Sequence, residues 1–305
     1  MMTSLVEVYR RWPTKDDCIA HLEAVRWGEQ PLCPYCGADR VSRNRDAKRG
    51  LTASRWKCQR CDRSFSVTVG TIFHNSHIDL QRWFSLISLM LNAKKGLSAM
   101  QAARDLDMRR PTVWSMMHRI RSALADDGKL LAGIVEMDEA YVDGKRRPAN
   151  RKDDDQPGPR GPCGKQPVIG AVERGGRLKA MVIDKAEMTA DDIRNYVTGM
   201  IDLPRAVLTT DEYAGYNGLN KNIAHRRINH SRVYVERDLF SAEFGPIQTN
   251  TIESVWAILK RAIAGQFHHV SRKYLPLYLS EVTYRYNARR TGEAFDRLLH
   301  LATNP

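Results

Sequence analysis

The spacing of apolar positions changes along this chain, and each change marks an element boundary. Over residues 79–92, Leu80, Trp83, Phe84, Ile87 and Leu91 recur at spacings of three and four, which predicts a helix with one buried face. A second helix is predicted over 98–106. Ser98 with Gln101 three residues on reads as a capping box, and Ala99, Ala102, Ala103 and Leu106 point inward. "DMRR" then turns the chain, and Pro111 suits the first turn of a helix over 111–124. Its inner stripe is Val113, Met117, Ile120 and Leu124; its outer face shows Thr112, Ser115, His118, Arg119 and Ser122. After "DDGKLLAG" (126–133) the helical period gives way to strand patterns over 133–144, 167–174 and 178–185. A helix over 189–201 capped by Thr189, strands beginning at 205 and covering 224–237, and a helix over 249–264 complete the pattern. Upstream, "RSFSVTVGTIF" (63–73) alternates like a strand.

Two organisations follow. Residues 98–124 read as a helix-turn-helix with 111–124 as its recognition helix, the plain alternative being a three-helix bundle. Residues 131–290 read as an α/β layer of the RNase H-like kind, a mixed sheet flanked by helices. Between its first two strands, 145–167 is rich in Pro, Gly and charge and reads as a long mobile loop. Its seven Lys and Arg serve either phosphate contact or solvation.

Composition narrows the partner. At 42% hydrophobic residues the 305-residue chain supports a true core with room for two or three domains. No run of eighteen apolar residues exists and the start lacks an apolar leader, so a cytoplasmic protein without a membrane span is expected. Net charge is +13, and residues 1–130 hold 22 Lys and Arg against 13 Asp and Glu. That excess suggests a polyanion, most simply nucleic acid, against the bland reading of a merely basic protein.

Four of the six cysteines form "CPYC" and "CQRC". Cys33, Cys36, Cys58 and Cys61 in a cytosolic chain read as four thiolates around one structural Zn²⁺, against the alternatives of a redox pair or chance spacing. Cys18 and Cys163 have no partner spacing and read as plain thiols.

Three carboxylates stand where apolar patterning does not call for them. Asp138 lies inside the first strand, Asp211 just past the strand in "AVLTTDE", and Glu253 on the stripe of helix 249–264 with Trp256, Ala257 and Lys260. Buried acids at these places repel one another unless a cation joins them, and two Mg²⁺ ions are the natural answer. Glu136 shares a strand face with Asp138 and reads as a possible supporting group, whereas Glu139 points to the opposite face. Glu212 remains an alternative beside Asp211. Lys260 and Arg261 are either phosphate contacts or ordinary surface residues.

Jointly, "CPYCG", "WKCQRCDRSFSVTVGTIF", "EMDEAYVDGK", "VIGAVERGG", "TDEYAGYNGL", "NHSRVYV", "TNTIESVWAILKR" and "YRYNARR" resemble bacterial insertion-sequence transposases of the DDE superfamily, in the zinc-ribbon-bearing family numbered fifteen ninety-five. The resemblance runs from about residue 12 to 290. It implies DNA strand cleavage and joining with Asp138, Asp211 and Glu253 as the acidic triad on two Mg²⁺ or Mn²⁺ ions. The implied partners are double-stranded DNA, as terminal inverted repeats and target, and further copies of the chain in a synaptic complex near the nucleoid. Arg109, Arg110, Thr112, Ser115, His118 and Arg119 would meet the repeats, and Lys260 and Arg261 phosphate. Relatives often carry His before the Thr-Asn pair where Gln248 stands here, and Asn250 and His230 match family positions. The implied layout is an N-terminal segment 1–25, ribbon 26–75, helix-turn-helix 76–127, catalytic domain 131–290 and tail 291–305. A DNA-binding regulator with an inert C-terminal domain, and a nuclease that cuts without joining, are the rivals.

Overall fold

A computed structural model describes residues 3–43, 55–124, 128–142, 165–183, 189–217, 219, 224–230 and 232–304. The chain divides into two compact units, Met1–Ala125 with Ala288–Pro305, and Asp126–Asn287.

The first unit opens with α1 (Leu5–Arg11) and α2 (Lys15–Trp27), the latter started by a reciprocal capping box between Thr14 and Asp17. A three-stranded antiparallel sheet follows: β1 (Val41–Arg43), β2 (Trp56–Cys58) and β3 (Ser64–Phe65). Glu23 of α2 accepts hydrogen bonds from Trp56 Nε1 and Arg43 Nη2, both at 2.7 Å, tying helix to sheet. The strand expected over 63–73 stops at Phe65. Beyond it the carbonyls of Val67 and Val69 both accept from Arg26 Nη1 at 2.7 Å, so a side chain takes the place of a ladder.

The helices α3 (Leu80–Asn92), α4 (Ala99–Asp105) and α5 (Arg110–Ser122) fall where their periodicity put them. Ser98 caps α4 through the Gln101 amide, but Gln101's own side chain donates to Asp105, so the box is half formed. Helix α3 is buried almost all round, including Ser85 and Ser88, because it lies among α1, α2, α5 and a last helix, α10 (Ala294–Thr303). Where a tail was expected at 291–305, Phe295 stacks on Trp12 and meets Phe84 edge-on, and the Ala302 carbonyl accepts from the Ile72 amide. Ala294, Phe295, Leu298, Leu299 and Ala302 are all buried, so this segment is core.

The second unit is built on a five-stranded sheet of order β6-β5-β4-β7-β8. Its strands are β4 (Leu131–Val142), β5 (Gln166–Glu173), β6 (Leu178–Val182), β7 (Ile201–Thr210) and β8 (Ala224–Arg227). The β4–β5 and β5–β6 pairs are antiparallel; β4–β7 and β7–β8 are parallel. Helix α6 (Ala190–Met200), capped by Thr189, covers one face through Ile193 and Val197 against Val135, Met137 and Leu208. The other face is covered by α8 (Asn250–Ala262) and α9 (Leu275–Ala288), with α7 (Ser241–Phe244) a short turn before them. There Ile252, Val255, Trp256 and Leu259 pack on Ala140, Val142, Val168 and Val172. This is the mixed, helix-flanked, RNase H-like sheet that the strand and helix order predicts.

Strand β8 ends early relative to the expected 224–237. Arg226 turns its guanidinium to the Gly245 carbonyl and Asp238, and the Asn229 carbonyl accepts from the Arg232 and Val233 amides, so the backbone bends. Helix α8 runs on into a π-helical turn over Ile263–Phe267. The basic loop lies outside the described residues except at its end, as does Cys163. Among the described residues no helix is long and apolar enough to cross a membrane.

Candidate active site and metal centres

Two knuckles of the first unit bring four thiols together. Cys33 Sγ lies 3.7 Å from Cys61 Sγ, and Cys36 Sγ 3.7 Å from Cys58 Sγ. A regular tetrahedron of sulfurs about 2.3 Å from a central ion has edges of about 3.8 Å, so the spacing fits Zn²⁺. Gly37 at φ +69° lets the first knuckle close, its amide donating to the Cys33 carbonyl. Backbone amides at Cys61 and Arg60 draw the Cys58 thiol down to about 7, while Cys36, against the Ala38 amide, is pushed up to about 11 by burial and the neighbouring thiols; the ligand reading rests on the sulfur geometry.

In the second unit the sheet ends unevenly. Strand β7 pairs with β4 as far as Thr209 opposite Glu136, and stops at Thr210. Asp211, the next residue, folds back in an Asx turn with Oδ1 accepting from the Tyr213 amide at 2.9 Å. Continuing the register sets Asp138 level with Asp211. Past that point β4 has no strand neighbour on this side among the described residues, so side chains from both its faces can reach the open edge. One carboxylate oxygen each of Asp138, Glu139 and Asp211 lie within 4.8 Å of one another. Glu139, expected to point away from Asp138, thus joins the cluster. Glu139 is held by the hydroxyl of fully buried Tyr216, which donates to Oε2 at 2.8 Å.

Burial, then Glu139 and Asp211, push Asp138 up to about 7, and Glu253 adds to the effect. Burial likewise lifts Glu139 to about 7 against the lowering Tyr216 bond. Crowded acids in this condition, with hard oxygen donors and no cationic side chain among them, fit a divalent cation such as Mg²⁺ or Mn²⁺.

Glu253 stands beside this cluster rather than in it. The buried stripe of α8 is Ile252, Val255, Trp256, Leu259 and Ala262; Glu253 is at its rim, with its side chain 44% exposed. Thr249 Oγ1 donates to Glu253 Oε1 at 2.8 Å, and His230 Nε2 lies 2.7 Å from that hydroxyl and 3.3 Å from the carboxylate. Because Thr249 gives its proton to Glu253, His230 is the donor in this chain, which fixes its tautomer. The helix is brought close by Gly170, opposite Asp138 on β5, where a Cβ would lie 2.7 Å from the Trp256 ring.

The expected DNA-contact residues divide. Arg109, Arg110 and Ser115 are exposed at the start of α5, Thr112 is half-buried, and Lys260 and Arg261 are exposed on α8. His118 and Arg119 are not on a free outer face. The His118 ring lies 4.0 Å from that of Trp114 and is drawn down to about 4 by burial and then Arg121. Arg119 Nη2 donates to the His74 carbonyl at 2.6 Å, and its guanidinium sits 5.5 Å over Trp83. Both are anchored within the unit.

The profile of the ISXO2-like transposase domain matches residues 130–287, and that of the transposase zinc-ribbon domain residues 13–64. The chain belongs to the ISXO2-like transposase family. The chain is similar to a protein of the transposable element ISH50 from Halobacterium salinarum, 28% identical over 295 residues that span 92% of this chain and 94% of that one. Among solved structures, the Mos1 strand transfer complex is similar at 13% identity and a TM-score of 0.30 over 72% of this chain and 75% of that one. A simian T-cell lymphotropic virus intasome is similar at 12% identity and a TM-score of 0.30 over 66% and 65%. The ISXO2-like match spans the whole five-stranded sheet, α8 and nearly all of α9, and so contains Asp138, Glu139, Asp211 and Glu253.

Proposed function

We propose that this transposase binds the terminal inverted repeats of an insertion sequence as double-stranded DNA and catalyses metal-dependent strand cleavage and strand transfer. The observation that carries the reading is the meeting of Asp138, Glu139 and Asp211 at the open edge of β4, with Glu253 alongside on α8. Asp138, Asp211 and Glu253 would hold two Mg²⁺ or Mn²⁺ ions, with Glu139 a further oxygen donor oriented by Tyr216. When bound there, such ions would lower the pKa of an attacking water or 3′-hydroxyl and offset charge on the leaving oxygen. Glu253 is aimed by Thr249 and His230, and meets the site from the helix side. Exposed Lys260 and Arg261 lie further along α8, where the DNA backbone passes.

In the first unit Zn²⁺ on Cys33, Cys36, Cys58 and Cys61 would hold the ribbon, whose core among the described residues is Cys33, Cys58, Phe65 and a few half-buried neighbours. Arg109, Arg110, Thr112 and Ser115 present the start of α5 to the repeats, with the arginines on phosphate. Two or more copies pair the element ends in a synaptic complex.

The test is an assay of purified protein on pre-cut repeat DNA and a plasmid target in Mg²⁺ or Mn²⁺. Joined products that vanish with Asp138→Asn or Asp211→Asn support the reading. Nicks without joining would make the protein a nuclease, and repeat binding without chemistry a regulator.

A further inference from the structure

The carboxylate of Glu136 is fully buried and takes no part in the acidic cluster. Its Oε2 accepts from the amides of Thr251 at 2.7 Å and Ile252 at 3.2 Å; its Oε1 accepts from Thr251 Oγ1 at 2.9 Å and Arg174 Nε at 2.7 Å. Those amides belong to the first turn of α8. The residue that would ordinarily cap them is Thr249, at the N-cap position, and it makes no side-chain cap bond. Its hydroxyl is turned instead to Glu253. Glu136 therefore fills the vacated cap from another element. Arg174 completes the clamp, its Nη2 donating to the Gln248 carbonyl at 3.0 Å just before the helix.

We infer, on the strength of the transposase reading above, that Glu136 is a positioning residue that sets Glu253 against Asp138. Glu136 and Asp138 lie two residues apart on the same face of β4, so the strand fixes one to the other. The cap fixes the same strand to the turn of α8 that carries Glu253. A buried ion pair is a poor device for stability alone, since an apolar pair of similar size does as well without the desolvation cost. It is an effective device for register, because four donors in fixed directions accept one placement of the helix. Thr249 is thereby freed to orient Glu253.

Glu136→Gln tests this. The amide offers one acceptor oxygen where the carboxylate offers two, so either the helix amides or Arg174 lose their partner. Mn²⁺ uptake is followed by electron paramagnetic resonance on the full chain bound to uncleavable repeat DNA, with thermal unfolding and DNA affinity measured alongside. The expected result is a folded protein with unchanged DNA affinity that needs about tenfold more Mn²⁺, or beyond, for half-saturation. Arg174→Lys is the companion, because an ammonium cannot hold Glu136 and the Gln248 carbonyl together, and should shift Mn²⁺ the same way. If Glu136→Gln does not fold, Arg174→Lys decides. A folded variant with the wild-type Mn²⁺ midpoint overturns the inference while leaving the active site standing. A wild-type protein that takes up no Mn²⁺, or whose uptake ignores Asp138→Asn, removes the active-site reading and this inference with it.

Discussion

Gly170→Ala is a change of one methyl group on the strand beside Asp138, and the structure predicts that it reaches Glu253 through α8. The added Cβ would stand 2.7 Å from Cη2 and 2.8 Å from Cζ2 of Trp256, and 3.2 Å from the Lys179 carbonyl oxygen. Ordinary carbon contacts begin near about 3.5 Å, so roughly 0.7–1 Å must be found. The sheet cannot give it, because Gly170 is paired on both sides, to Asp138 and to Ala180. The indole is rigid and nearly fully buried, so α8 itself must lift. Overpacking of this kind costs about 1–3 kcal/mol, which for a unit of this size lowers Tm by roughly 2–12 °C. Glu253 lies three residues before Trp256 on the same helix and moves with it. A displacement near 1 Å at a reacting centre is worth about a hundredfold in rate. Strand transfer on pre-cut ends, measured where the variant is fully folded, should therefore fall by about that factor with repeat binding intact. Adding Trp256→Phe, which shortens the ring, should restore much of the loss. A Gly170→Ala protein with wild-type Tm and wild-type strand transfer would refute the close packing of α8 and the dependence on it.

Further expectations concern the metals and the DNA surface. Cys58→Ser should lower zinc content from one ion per chain to none by metal analysis, and expose the ribbon to protease. Asp138 and Glu139 are held near 7, above the usual carboxylate value of about 4, so the folded protein binds more protons than the unfolded chain between those limits. Stability in Mg²⁺-free buffer should thus fall as pH rises from about 4 through about 7, with the full penalty above it, and Mg²⁺ should recover it there; a Tm series with and without Mg²⁺ checks the sign. Arg109→Ala and Arg110→Ala should weaken binding to every DNA sequence and each reduce the salt slope by about one, whereas Arg119→Ala should cost about 1–2 kcal/mol in unfolding because its bonds are to His74 and Trp83.

What could be read in advance was local. Ser98, Thr189 and Pro111 mark helix starts, the two Cys-x-x-Cys knuckles mark the ribbon, and period-two patterning places Glu136 and Asp138 on one face of β4. What could not depended on other parts of the chain. Glu139 joins Asp138 because β7 stops at Thr210, a boundary one strand away. Arg119 points outward on its own helix, yet the His74 carbonyl from the segment before α3 is waiting for it. Glu253 fits the stripe of α8 by spacing but stands at its rim, where Trp256 is the side chain of α8 that packs over Gly170. Helix α10 did carry a signal in "AFDRLLHLA", whose apolar residues recur at helical spacing.

The central claim is that the edge of β4 is a two-cation DNA-processing site. The most direct measurement is an anomalous difference map from crystals of the full chain with pre-cut repeat DNA in Mn²⁺. The account predicts two Mn²⁺ peaks among the carboxylates of Asp138, Glu139, Asp211 and Glu253, and no peaks there in Asp138→Asn crystals. DNA seated on the protein with its 3′-end away from Asp138, or no Mn²⁺ among these carboxylates, would contradict it.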